Sequence, residues 1–236
     1  MEKSLIVVKH ELKIDFATHE AAKYACENWH YSKCIPVGKL VKIGAWENGK
    51  FIGVVIFGRG ANKDVGKPYD CDQTECVELV RIALKNHLTP VSKIMMIAVK
   101  FLKKTNENIK LIVSFADQEQ GHHGGIYQAT NWIYTGTTTP AEEYFYNGKR
   151  YHGRAFRKQH GSHKNYLNKG LKIIMGSSKH RYLMPLNDNI KQKLMLLSKP
   201  YPKRGTKAIS SDQLESGGAI PTATLQSLGE PNGSHT

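Results

Sequence analysis

Cysteine is scarce in this 236-residue chain: Cys26, Cys34, Cys71 and Cys76 are the whole set, and no two form a Cys-x-x-Cys pair. That excludes a disulfide framework and leaves a zinc site without ligand spacing, so reduced structural thiols are expected. Long apolar runs are missing too. No stretch approaches the ~20 residues of a membrane span. The opening MEKSLIVVKHELK lacks the long apolar segment and small-residue cleavage site of a secretion signal. A cytosolic protein without membrane contact is expected.

Acidic residues all but vanish from one stretch. Residues 1–148 carry 18 Lys or Arg against 16 Asp or Glu, residues 149–207 carry 16 against 1, and residues 208–236 carry 0 against 3. A nearly neutral body therefore bears one segment of net +15. Such a block draws phosphate polyanions through counterion release. A solvated basic surface is the bland alternative, since charge alone is unspecific. Interleaved Tyr146, Tyr151, Phe156, Tyr166 and Tyr182 favour nucleic acid, because rings stack on bases while Lys and Arg hold phosphates. Lys149, Arg150, Arg154, Arg157 and Lys158 are the candidate contacts.

What is present fits a soluble globular protein with a real core: 40% hydrophobic and 23% charged residues. A strand is expected over residues 4–14, then a helix capped by Thr18 and running to about Tyr31. KLVKIGAWENGKFIGVVIFGRG is a hairpin turning on Asn48-Gly49. CVELVRIAL is a further strand, and Thr89-Pro90 starts a helix over VSKIMMIAVKFLKK. KLIVSFAD, almost fully apolar, suits a central strand covered on both faces. A short helix between Gly124 and Asn131, a strand at WIYTG, an Asn-Gly hairpin in EYFYNGKRY, a strand at KHRYLMPL and a helix over 188–198 follow. The composition predicts one mixed α/β domain over 1–204, with its basic segment at 149–204, and a disordered polar tail over 205–236.

One stretch concentrates chemistry. In SFADQEQGHHGGIYQATNW an apolar strand runs out into Asp117, followed by His122, His123 and Tyr127. Asp117 reads equally as a turn cap and as a base or ligand at a strand end. Arg81, on a strand face with Val77, Leu79 and Ala83, needs an anionic partner or a cleft. His30 and Tyr31 end the first helix. There His30 either sits at a negative terminus or crosses to the site as ligand or proton carrier. Tyr127 is either a half-buried ring or a general acid. Adjacent histidines diverge, so at most one of His122 and His123 joins a site. Trp29, Trp46 and Trp132 are core rings unless one of them, or Tyr69, stacks on an extruded base.

The element order resembles the GNAT acyltransferase fold, with IYQATNWIYTG where those proteins carry a helix with Tyr and then a strand start. A more specific resemblance covers residues 15 to 186. ENWHYSKCIP, GKLVKIGAWENGKFIGVVIFGRGAN, TECVELVRIAL, SFADQEQGHHGGIYQATNWIYTG and KHRYLMP, in that order, are similar to the bacteriophage Mom family. The resemblance implies a GNAT-like domain with a mixed, mostly antiparallel central sheet flanked by helices, plus a basic C-terminal extension. It implies a transferase that places a carbamoylmethyl group on N6 of adenine in double-stranded DNA, a modification that protects phage DNA from host restriction. It also implies a phage- or prophage-encoded protein acting in the bacterial cytoplasm, with His30, Tyr31, Arg81, Asp117 and Tyr127 as catalytic residues. His30, Tyr31 and Asp117 form a candidate iron site, because imidazole with oxygen ligands suits a ferrous ion.

Two features of the chain bear on the cofactor and the alternatives. Glycine is absent between Gly66 and Gly121, so KNHLTPVSK cannot supply the glycine turn on which acetyl-CoA's pyrophosphate rests. Acetyl-CoA is therefore disfavoured, and the group donor is not identified. A non-catalytic DNA-binding protein on the same scaffold, and an acyltransferase for a protein or small molecule, stand as the competing readings. The oligomeric state is open, a homodimer included.

Overall fold

The computed structural model describes residues 11–60 and 64–203. The expected start of the first strand and the expected polar tail lie outside them. Among the described residues, no helix is long and apolar enough to cross a membrane.

Strand β1 (Leu12–Phe16) leads into α1 (His19–Trp29), which begins where the Thr18 hydroxyl accepts the Ala21 N–H at 3.1 Å. Strands β2 (Leu40–Glu47) and β3 (Lys50–Gly58) form the expected hairpin, with Asn48 and Gly49 both at positive φ (49° and 76°), as a two-residue turn demands. Strand β4 (Cys76–Leu84), helix α2 (Val91–Thr105) and strand β5 (Leu111–Asp117) follow. After them come α3 (Gly125–Gln128) and β6 (Ile133–Thr137). The late strand β10 (Lys179–Pro185) does not add to an edge; it inserts between β5 and β6. The seven-stranded order is β1-β2-β3-β4-β5-β10-β6, antiparallel throughout except at β4–β5. It is the mixed, mostly antiparallel sheet flanked by helices that the sequence predicts.

Alternation along the strands assigns the layers. Val55, Phe57 and Ile112 pack under α2 with Ile94, Met95, Ala98 and Leu102. Val54, Ile56 and Ala83 face the other way, against Ala22, Ala25 and Cys26 of α1. On that second face, Leu111, Val113 and Leu183 meet Ile190 and Leu194 of α5 (Asp188–Met195). Burial on both faces explains why KLIVSFAD is nearly all apolar.

The parallel pair β4–β5 opens a cleft in the sheet. Its pairing runs only from Cys76↔Leu111 to Leu79↔Ser114. Beyond it, Arg81–Leu84 pair with β3 alone and Phe115–Asp117 with β10 alone, so the two strands part towards their carboxyl ends. Val80 is bulged out of the β3–β4 register, and this corrects the expected position of Arg81. The extra residue reverses the alternation: Val77 and Leu79 lie in the α2 layer, whereas Ala83, whose face Arg81 shares, lies in the α1 layer.

The first part of the basic segment stands outside that sheet, whereas its later residues supply β10. Strands β7 (Glu142–Tyr146), β8 (Lys149–His152) and β9 (Lys172–Met175) form a second sheet in the order β8-β7-β9, and α4 (Gly153–His160) packs on it. Tyr144, Tyr151, Phe156 and Leu171 are its core, with Tyr146 and Tyr166 half-buried against them. The expectation that these rings stack on bases is corrected for Tyr151 and Phe156, and for Tyr182, which is buried under the main sheet. A unit this small must spend its large rings on its own interior.

Candidate active site at the splayed strands

The wedge between β4 and β5 collects four of the five expected side chains on the α1 face and the fifth at its vertex. The α1 helix ends at His30, whose extended backbone (φ −112°, ψ 140°) leads into Tyr31. Their rings lie 4.2 Å apart, and the Tyr31 ring meets His122 edge-on at 5.7 Å. Of the two adjacent histidines, then, one joins the site, and His123 serves by its backbone. The His123 carbonyl accepts from the Tyr182 hydroxyl at 2.6 Å and from the Gln128 amide at 3.2 Å. Gly124 makes this possible: at φ 84° a Cβ would sit 2.3 Å from the Tyr182 ring.

His30 has a defined tautomer. Its Nδ1 accepts the Ser32 backbone N–H at 3.1 Å and lies 2.8 Å from the Ser32 hydroxyl. A backbone N–H only donates, so the neutral ring carries its proton on Nε2. Burial holds the imidazole down at about 4, with Arg81, His122 and Lys33 adding repulsion, so it is neutral at physiological pH. Burial likewise raises the Tyr31 phenol above its usual range. The Arg81 charge opposes that shift and Asp117 adds to it, which places both groups within electrostatic reach of the ring. His122 is lowered by burial, against the pull of Asp117.

Asp117 performs the bland role and keeps capacity for another. Its Oδ1 accepts the Glu119 N–H at 3.0 Å, capping the 3₁₀ turn Gln118–Gln120, and lies 3.4 Å from the Ser177 hydroxyl. Its Oδ2 pairs with Lys179 at 3.5 Å, directly across the β5–β10 ladder. Arg81 has spare capacity as well. Nη1 donates to the Val80 carbonyl at 3.0 Å, while the buried Nε has no hydrogen-bond partner. An unspent guanidinium donor in a cleft suits an anion.

Tyr127 is buried at the vertex, among Trp132 and Tyr182, with its hydroxyl 2.8 Å from Ser114. Burial pushes the phenol up to about 12. Of the residues sequence reasoning passed over, Ser114 carried a signal, as the one hydroxyl inside an apolar strand. Lys179, Ser177 and Glu119 carried none, since only the β10 register and the turn bring them to Asp117. Trp132 and Tyr69 are buried core rings, and Trp29 and Trp46 pack against Phe51. Cys26, Cys71 and Cys76 are buried free thiols and Cys34 is exposed.

Neither the candidate iron site nor the disfavoured acetyl-CoA site is simple. Among the described residues, no group of three His, Cys, Asp or Glu side chains is placed to hold a metal ion. An iron ion on His30, Tyr31 and Asp117 would need the Nε2 proton displaced and would compete with Lys179. Before α2, the buried Glu47 carboxylate accepts the Leu88 and Thr89 N–H groups, each at 2.7 Å. An internal anion thus occupies donors that a pyrophosphate would use.

The basic side chains divide. Lys149, Arg157 and Lys158 are exposed, and Arg154 lies in α4. Arg150 is engaged: its guanidinium pairs with Glu119, with Nη2 to Oε2 at 3.1 Å, and with Glu143. The turn capped by Asp117 is therefore also in contact with the small sheet.

A family model described as the Mom protein family matches residues 11–203. Methylcarbamoylase mom of Escherichia phage Mu is 25% identical over 206 residues, covering 82% of this chain and 84% of that protein. Among solved structures, an acetyltransferase of the GNAT family from Streptococcus pneumoniae aligns at a TM-score of 0.44 and 11% identity, over 75% of this chain and 100% of that one. A Bacillus subtilis acetyltransferase in complex with CoA aligns at 0.41 and 14%, over 76% and 100%.

Proposed function

The chain belongs to the Mom protein family, and from that premise we propose that it is a transferase that modifies adenine in double-stranded DNA, adding a carbamoylmethyl group at N6. One observation carries the proposal. The turn whose first residue is Asp117, in the cleft, is joined through Glu119 and Arg150 to a sheet whose outer strands, β8 and β9, belong to the most basic part of the chain. DNA held on that sheet lies beside the cleft.

The chemistry follows from the groups present. A base inside a duplex is out of reach, so the adenine must leave the stack. Its N6 attacks the donor carbon as the bond from that carbon to the donor's leaving group breaks, and the leaving group takes the bonding pair. The N6 proton passes to the Asp117 carboxylate, which the Lys179 ammonium orients. His30 offers a hydrogen bond from Nε2. The unpartnered Arg81 Nε receives the anionic end of the donor. A metal on His30, Tyr31 and Asp117 would add Lewis acidity there, and no step above depends on it.

Nucleoside mass spectrometry of DNA from cells expressing the protein tests the reading. A new adenine nucleoside, heavier by a carbamoylmethyl group, is expected. An unchanged profile from soluble protein overturns it.

A further inference from the structure

A cavity of about 410 Å³ lies between the turn after Asp117 and the end of β9, walled by Gln118, Glu119, Arg150, Ile174, Met175 and Ser177. We propose that this cavity receives the extruded adenine, a step that rests on the DNA-modifying reading above. Its size falls in the ~300–1,000 Å³ range of small-molecule sites. Ser177 ties it to the chemistry, since its hydroxyl is 3.4 Å from Asp117 Oδ1. The Asp117 carboxylate thus stands directly behind the Ser177 wall of the cavity.

The walls suit a neutral purine better than a phosphate. Arg150 is the one cation of the lining, and Glu119 and Glu143 already neutralise it, so three charged groups together carry one negative charge. An anion finds no net attraction, whereas a planar guanidinium still presents a flat face to a ring. Ile174 and the largely exposed Met175 (63%), at the end of β9, also line it, and a polarisable thioether makes good contact with a ring. Gln118 supplies the polar reading. Its amide is held only by long contacts, 3.5 Å to His180 and 3.3 Å from Ser178, so it is free to turn. Glutamine is a side chain that pairs with the adenine N6–H and N7 together.

The site also accounts for the position of the small sheet. Its β8 and β9 supply Arg150 and Ile174–Met175, while the turn of the main sheet supplies Gln118 and Glu119. The cavity exists only where the DNA-binding unit meets the catalytic turn.

The test uses the full-length protein with ¹³C-methyl methionine, of which there are six, and Met175→Leu to assign one resonance. Titration with 2′-deoxyadenosine is expected to shift the Met175 methyl saturably, 2′-deoxycytidine to shift it several-fold less, and inorganic phosphate not at all. No shift with deoxyadenosine, or an equal one with deoxycytidine or phosphate, overturns the proposal. In cells, Met175→Arg should lower adenine modification at least tenfold while duplex binding in vitro stays equal or stronger. Full modification by this variant overturns the cavity and leaves the DNA-modifying reading standing. Absence of modification by the wild type overturns that reading, and the deoxyadenosine titration then decides the cavity alone.

Discussion

Tyr127 gives its phenolic proton to Ser114. The two oxygens are 2.8 Å apart, and Ser114 has only one proton, which it spends on the Leu79 carbonyl at 3.0 Å. The donor in the Tyr–Ser bond is thus the phenol, and the bond sits where β4 and β5 part.

That direction of donation separates two roles for Tyr127. Tyr127→Phe is expected to lose about 0.5–1.5 kcal/mol of stability, as for one hydrogen bond, yet to lower modification ~100-fold or more if the phenol transfers a proton. Ser114→Ala frees that proton and should retain most activity. Equal, modest losses from both variants would assign Tyr127 to packing alone.

Asp117→Asn keeps the cap, because Asn and Asp serve alike at such a position. It removes the charge that pairs with Lys179, a partly exposed pair worth ~0–1 kcal/mol. Fold and DNA binding should therefore persist while modification falls ~100-fold. Lys179→Met is the control: a fall of the same size there would mean that orientation, not the carboxylate's basicity, limits the rate.

His30 makes stability depend on pH in a defined direction. Its folded value is about 4, against 6.5 for the free side chain. Between those values the unfolded chain binds a proton that the folded site refuses, so stability rises with pH across this window. The contribution is whole above pH 6.5 and is lost as pH falls through about 4. Imidazole NMR should show a midpoint near 4 that disappears in His30→Gln, and that variant should lose less stability on acidification. A midpoint near 6.5 contradicts the buried, neutral ring.

Glu47 predicts how the protein meets acetyl-CoA. Its carboxylate already holds the Leu88 and Thr89 N–H groups, so calorimetry should register no saturable binding. Glu47→Gln is expected to cost about 1–3 kcal/mol, since a buried N–H loses a charged acceptor, without opening a CoA site. Saturable binding by the wild type would overturn this reading of the loop.

Arg150 should behave unlike its neighbours towards DNA. Neutralising Lys149, Arg157 and Lys158 together should weaken binding and flatten the salt dependence, by roughly 0.9 for each phosphate the protein no longer neutralises. Arg150→Ala should leave the salt slope nearly unchanged and instead destabilise the joint, because Glu119 and Glu143 then share the space without a cation. Anisotropy titrations over a salt series distinguish the two patterns.

The sequence by itself determined what is local. Thr18, Asn48-Gly49 and the apolar run of β5 specify their elements by capping, turn chemistry and periodicity, and each stands where these rules put it. The helix after Thr89-Pro90 instead starts one residue later, at Val91, with Pro90 in the cap position and no side-chain cap bond. The blocks around His30-Tyr31, Arg81, Asp117 and Tyr127 singled out residues that do gather at one cleft. Only the tertiary structure decided what depends on distant register. A single bulged residue, Val80, moves Arg81 to the face of α1, and no pattern of alternation announces a bulge. Insertion of β10 beside β5 brings Lys179 and Ser177 to Asp117 across 60 residues of chain. The rings of the basic segment turn inward, and Arg150 is taken by Glu119, because a small sheet needs a core and an anchor before it can offer a surface. Charge and composition along a chain state how much of each exists; which side chains remain free for a ligand is settled only when the fold has paired the rest.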